Sequence, residues 1–213
     1  MHEPPVFDEA FRARLRELFA WRRDVRRFRP DPVADHTLDR LIEAACLAPS
    51  VGLSQPWRFV VVDDAERRVA IVDNFSQCNR EALESYTGDR ATLYARLKLS
   101  GLRDAPRHLA VFADETTSIG HGLGRRTMPE MLHYSVVAAI CNLWLAARAE
   151  GIGVGWVSIL DAARVRETLD TPESWRLIGY FCLGYPERED DRPELELEGW
   201  EHRRSLGTQV LRR

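Results

Sequence analysis

Four short apolar runs constrain the fold of this chain more than any other feature. They fall at residues 58–62 (RFVVV), 108–113 (HLAVFA), 151–159 (GIGVGWVSI) and 175–183 (WRLIGYFCL). Each is too short for a helix and rich in β-branched or aromatic residues, so each reads as a strand. Between them lie longer segments with helical spacing. Residues 8–21 carry Phe11, Leu15, Leu18 and Phe19 on one face, with Asp8 placed to cap the start. Residues 37–47 carry Leu38, Leu41, Ile42 and Ala45, and Pro49 stops them. Residues 66–99 read as two polar, Arg-rich helices broken near Thr87 and Gly88. Pro129 opens a long helix to Glu150, with a face of small and apolar residues suited to a central or interface position. Residues 162–169 form a last short helix.

Strands dispersed among long helices predict an α+β fold, with a central sheet covered by helices on both faces. At 213 residues, with no internal repeat and no low-complexity linker, the chain reads as one domain spanning residues 1–213. Residues 186–213 read as a charged, extended tail anchored by Trp200 and Leu206, long enough to wrap over a partner subunit. Residues 116–127, with Gly120, Gly122 and Gly124, show no periodicity and read as a mobile loop or lid.

Charge narrows the function. The net charge of −3 argues against nucleic acid or an acidic membrane surface as partner. The four cysteines form no CxxC pair, so no zinc site can be drawn, and three lie in apolar stretches where a thiol behaves as a small hydrophobe. The N-terminus has neither basic nor apolar run, and the apolar stretch at 135–149 reads as too short for a membrane span. A cytoplasmic address follows. Of 30 basic residues only Lys98 is lysine, which singles it out.

Three segments carry candidate chemistry. The first is Arg22, Arg23, Asp24, Val25, Arg26 and Arg27. Clustered guanidiniums repel unless something anionic lies among them, and the planar fork of arginine suits phosphate; a solvated basic face screened by Asp24 explains the same residues. The second is APSVGLSQPWRF at 48–59, where turn-forming residues can leave backbone N–H groups free for a ligand, or simply join a helix to a strand. The third is GIGVGWVSIL at 151–160. Alternate glycines there let a backbone pass against a flat ligand; a helix cap followed by a strand is the plainer account. It is not a dinucleotide fingerprint, since a helix precedes it and a strand follows.

In order and spacing these three segments resemble the FMN-binding elements of the nitroreductase family, over nearly the whole chain. The resemblance implies a nitroreductase-like fold whose central sheet is mostly antiparallel, and a homodimer with the flavin at its interface and the C-terminal arm exchanged. It places Arg22, Arg23, Asp24, Val25 and Arg26 at the phosphate and ribityl chain, and Pro49, Ser50, Leu53 and Gln55 against the ring. It places Gly155, Trp156, Val157 and Ser158 at the N5 edge, Lys98 toward the N1–O2 edge, and Arg203, or alternatively Arg204, at the phosphate. Within the family the likeness is greater to the flavin-destroying branch. Asp24 stands where ordinary members carry Ser or Thr, and Leu53 where they carry Asn; Ser158 and Lys98 fit the same branch. That branch consumes reduced FMN and O₂ to make 5,6-dimethylbenzimidazole, the lower ligand of cobalamin, releasing erythrose 4-phosphate. Asp24 is then expected to be the base beside the ribityl chain, its pKa raised by the anionic flavin and opposed by the arginines. A structural, Arg-paired carboxylate is the plainer role. Ser158 is expected to hydrogen-bond at N5, or else to face solvent. Leu53 would dry the ring pocket, and Lys98 is as well explained as a surface residue. His121 and His133 read as structural. The alternative activity is an NAD(P)H-dependent nitroreductase or dehalogenase that keeps its flavin; whether NAD(P)H acts directly or a separate flavin reductase delivers reduced FMN is open in the sequence.

Overall fold

The computed structural model describes residues 3–97 and 100–213. The chain begins with helix α1 (Glu9–Trp21), started as expected by Asp8, whose Oδ1 accepts the Phe11 N–H at 2.7 Å. Helix α2 (Asp35–Cys46) buries Leu38, Leu41 and Ala45, and strand β1 (Trp57–Val61) follows. Helices α3 (Ala65–Glu84) and α4 (Gly88–Arg96) are divided at Thr87 and Gly88, where the sequence places the break. A four-residue helix α5 (Gly101–Asp104) leads into strand β2 (Arg107–Asp114). Then come the long helix α6 (Met131–Ala149), strand β3 (Gly153–Val157), helix α7 (Ala162–Thr168) and strand β4 (Trp175–Gly184). The tail is not simply extended, because residues Glu194–Leu197 form a further short helix, α8.

The sheet runs β1-β2-β4-β3 with every neighbouring pair antiparallel. Side chains alternate across it, and both faces are covered. Leu109, Val111, Ala113, Phe181 and Leu183 meet α2 and α6 on one face; Ala110, Phe112, Tyr180 and Cys182 meet Ile71 of α3, Leu102 of α5 and Val165 of α7 on the other. Burial on both faces explains why β2 and β4 read as near-continuous apolar runs. Helix α6 lies at the centre. It is long and apolar enough by composition to cross a membrane, contrary to the expectation drawn from 135–149, but seven of its residues are buried, five of them in this core. The cysteines also depart from expectation, since Cys46 and Cys141 are exposed and only Cys182 is buried.

One polar pair is enclosed in the core. His108 Nδ1 lies 2.9 Å from the Tyr180 hydroxyl, and both side chains are buried. Burial, aided by the charge of Arg68, lowers the His108 pKa from 6.5 to about 4, while burial raises that of Tyr180. The unfolded chain therefore takes up a proton near pH 6.5 that the folded chain refuses until about pH 4. Stability from this site is full above pH 6.5 and is lost as pH falls toward 4, by about 3 kcal/mol. Replacing both partners with apolar residues of similar shape, His108→Leu with Tyr180→Phe, is expected to flatten that acid limb in urea melts run across pH 4–6.5; an undiminished slope would place the loss elsewhere.

Candidate active site

The arginine-rich segment is threaded into the β3 edge of the sheet. Asp24 makes a parallel bridge with Val154, and the Val25 N–H donates to the Val154 carbonyl at 3.0 Å. Phe28 bridges Pro186 and is buried. The glycines of β3 make this close approach possible: a Cβ on Gly155 would stand 2.2 Å from the Val25 carbonyl oxygen, and one on Gly153 2.7 Å from the Val25 side chain. The sequence reading assigned those glycines to a flat ligand; on that side the chain's own backbone fills the space.

This docking fixes Asp24. Its Oδ1 accepts the Trp156 N–H at 2.8 Å, and its Oδ2 is 3.6 Å from Arg26 Nε. Loss of solvent raises the Asp24 pKa above the ordinary carboxylate value, against the opposing effects of the Trp156 N–H, then Arg26, then Arg22. The expected rise is present without a flavin, with loss of solvent as its largest cause. The arginines are constrained too. Arg22 stacks 4.8 Å over the Trp144 ring, whose indole N–H donates to the Arg23 carbonyl at 3.1 Å. Arg23 also donates to the Ala20 carbonyl. Yet Arg23 Nε and Arg26 Nε are buried with no hydrogen-bond acceptor, a costly state that an incoming anion would relieve. Burial first, then the charges of Arg22 and Arg203, lower the Arg23 pKa. These groups line a cavity of about 380 Å³ with Trp144, Arg148 and Glu189 on its other sides.

The structure brings Arg22, Arg23, Asp24, Val25, Arg26, Gly155 and Trp156 together, with Val157 buried at the end of β3. Ser158 follows at once and is exposed. Its loop is held by a signal the sequence reading missed. Buried Asn74 of α3 donates to the Asp161 carbonyl at 3.0 Å and accepts the Asp161 N–H at 2.9 Å. Trp144 was missed likewise, because an apolar residue on a core helix gives no hint that its indole N–H is engaged. Lys98 lies outside the described residues. Arg203 and Arg204 are exposed on the tail.

Pro49, Ser50, Leu53 and Gln55 are elsewhere. Their loop precedes β1, at the sheet edge opposite β3, and none of them lines the Asp24 cavity. The Ser50 hydroxyl accepts the Gln55 N–H at 3.1 Å, and Ser135 of α6 accepts the Val51 N–H at 3.0 Å. Leu53 and Gln55 nonetheless hold φ of +54° and +44°, values that non-glycine residues adopt only at a cost and that concentrate at functional positions. Leu53 is 71% exposed, a large apolar side chain offered outward. The 116–127 loop packs here, with the Gly120 and Leu123 carbonyls against Gly52. His133 pairs with Glu115 at 2.7 Å near the root of that loop, in keeping with a structural role.

The four-stranded antiparallel sheet and the Asp24 segment docked at its β3 edge lie within one recognisable class of protein. The nitroreductase family pattern matches residues 19–185, and the chain belongs to that family. Within it, the chain is 56% identical over 204 residues to the 5,6-dimethylbenzimidazole synthase of Rhodospirillum rubrum, covering 96% of this chain and 97% of that protein. It is 44% identical over 207 residues to the 5,6-dimethylbenzimidazole synthase of Rhodobacter capsulatus, covering 97% and 99%. Among solved structures it resembles oxidized iodotyrosine deiodinase bound to FMN and 3-iodo-L-tyrosine, with a TM-score of 0.74 and 24% identity over 93% of this chain and 97% of that one; this is a likeness of fold.

Since Gly155 sets how closely Val25 approaches β3, Gly155→Ala is expected to push the arginine segment outward. A loss of about 1–3 kcal/mol in urea unfolding should result, together with loss of the Asp24 contact to the Trp156 N–H. An unchanged unfolding midpoint would mean that Val25 retreats freely and that the segment is not held as described.

Proposed function

We propose that this chain synthesises 5,6-dimethylbenzimidazole, and that it does so by consuming reduced FMN in an O₂-dependent reaction. The near full-length identity to two proteins of that name supports the reading. The observation in this structure that carries it is Asp24, a half-buried carboxylate with a raised pKa among phosphate-suited arginines. FMN fits the residues present. The unsatisfied Nε groups of Arg23 and Arg26 suit a phosphate, with Arg22 and Arg203 adding charge. Reduced FMN would supply the ring that becomes the benzimidazole and the electrons passed to O₂.

The chain's own residues then have distinct tasks. Arg22, Arg23 and Arg26 bind the phosphate end, and Trp144 keeps Arg22 stacked in place. Asp24 takes a proton from the ribityl chain. Its raised pKa makes it a stronger base than an ordinary carboxylate, and the Trp156 N–H keeps one oxygen fixed while Oδ2 is presented to the substrate. Ser158, exposed at the end of β3, is assigned a hydrogen bond at the flavin N5 edge, and Lys98 stays assigned to the N1–O2 edge. Leu53, with Pro49, Ser50 and Gln55, excludes water from the ring.

That last set does not line the Asp24 cavity. Its loop lies at the β1 edge, roughly 14 Å from the β3 edge across three strand spacings. We therefore assign the ring-covering loop to the partner of a homodimer. Helix α1 supports this, because it buries no side chain and leaves Phe11 and Phe19 exposed, as are Leu206, Val210 and Leu211 on the arm. A cytoplasmic address suits the free cysteines and a supply of reduced flavin, delivered by a separate reductase or formed with NAD(P)H. The alternative, an NAD(P)H-dependent nitroreductase or dehalogenase, shares the fold but gives Asp24 no task.

Aerobic incubation with reduced FMN, followed by product analysis, tests the proposal: loss of the flavin chromophore with appearance of 5,6-dimethylbenzimidazole is expected, and quantitative recovery of FMN would favour the alternative. Asp24→Asn keeps an oxygen for the Trp156 N–H, so it should bind FMN with near-normal affinity yet lose at least about 100-fold in product formation, the usual scale of a general base. An undiminished yield would remove Asp24 from the reaction. In the unmodified protein the rate should fall as pH drops through the raised pKa of Asp24, giving an acid limb above the ordinary carboxylate range of about 4; a limb at or below that value would show the carboxylate to be unperturbed in the working enzyme.

A further inference from the structure

Beyond β4 the chain runs back across the arginine segment and is tied down at three points. Pro186 bridges Phe28. Arg148 of α6 grips Glu189 through two hydrogen bonds, 2.7 and 3.1 Å. The third tie is Trp200. Tyr86, just past α3, and Tyr94 of α4 stack on one another with centroids 4.8 Å apart, and Trp200 lies edge-on to Tyr86 at 5.6 Å. The Arg90 guanidinium sits 5.1 Å from the Trp200 ring and donates to the Trp200 carbonyl at 2.7 Å. The Trp200 N–H donates to the Leu195 carbonyl at 2.8 Å, closing the turn after α8. Between these ties, Glu187, Asp190, Glu194 and Leu197 form one wall of the Asp24 cavity.

This aromatic cluster belongs to neither core. It clamps a segment whose continuation, residues 201–207, is exposed. Arg203 lies only three residues past the clamp, and its charge is felt at Arg23. An arginine on a loose tail must be ordered each time it meets an anion, and that entropy weakens binding; an anchor a few residues away removes most of the cost beforehand. Cation–π contact and a hydrogen bond to the same residue make the anchor specific in position as well as firm.

We propose that Trp200 is a positioning residue: clamped by Tyr86, Tyr94 and Arg90, it holds Arg203 at the phosphate-binding end of the site and so sets the preference for a flavin bearing a terminal phosphate. The inference rests on the flavin reading above and adds to it a determinant of substrate selection outside the binding segment. It predicts that loosening the clamp costs affinity only for the phosphorylated ligand, whereas general damage to the fold would weaken every flavin alike.

Titrating the full chain with FMN and with riboflavin, which lacks the phosphate, separates these outcomes. The unmodified protein should prefer FMN. Trp200→Ala and Arg203→Ala should each reduce that preference by about tenfold, the scale of one hydrogen bond to a charged group, leave riboflavin affinity unchanged, and show no further loss when combined. Trp200→Phe should restore most of the preference. Arg90→Gln, which keeps the aromatic stack, should reproduce the loss at smaller size and serves where Trp200→Ala fails to fold. An intact FMN preference in Trp200→Ala or, failing that variant, in Arg90→Gln overturns the proposal, as do equal losses for both flavins or independent losses in the double variant. A wild-type protein that binds riboflavin as well as FMN would overturn the phosphate-site reading itself, a result distinguishable from the others.

Discussion

The docking of residues 24 and 25 against β3 is the interaction on which the rest of the site depends. It adds a short parallel element to the sheet edge, with Val25 bonded to Val154 and Asp24 bonded to Trp156. Side chains larger than hydrogen at 153 and 155 would forbid it. Once the backbone is seated there, the flanking arginines have little choice of direction. Arg22 meets Trp144, and Arg23 and Arg26 are drawn partly out of water. The same seating shields the Asp24 carboxylate in part from bulk solvent. Backbone geometry therefore generates the electrostatics of the site.

Those electrostatics rest on a competition. Three arginines beside a carboxylate would ordinarily depress its pKa. Burial is the larger effect: Arg26 Nε lies 3.6 Å from Asp24 Oδ2 and draws the pKa down by less than loss of solvent raises it. An ion pair at that separation repays little of the cost of removing a carboxylate from water.

How much of this was legible in the sequence varied with the physical origin of each feature. Helix faces and strand runs were readable because they come from periodic burial: the break at Thr87 and Gly88, the Asp8 cap and all four strands fall where the spacing places them. Helices α5 and α8, four residues each, are too short to leave a periodic trace. At the site, Asp24 was legible through its oddity among arginines. Asn74 and Trp144 were not, since their roles are hydrogen bonds to the backbone of distant residues, which no local pattern records. The glycines of β3 were noticed for the right property, the absence of Cβ, but the occupant of the freed space is a matter of tertiary contact.

Carboxylates at the cavity help the arginine cluster persist in a chain of slight net negative charge. Glu187, Glu189, Asp190 and Glu194 line the same cavity as Arg23, Arg26 and Arg27, although Arg188 and Arg192 line it too and pair with Asp190. The individual ties differ in strength. Arg148 holds Glu189 by a two-pronged contact and fixes the wall to α6, whereas Arg27 and Glu194 are 3.9 Å apart and partly exposed, a pairing worth little in water. The firm tie to α6 therefore fixes the position of this wall, while the looser pairs around the arginines stay exchangeable with solvent.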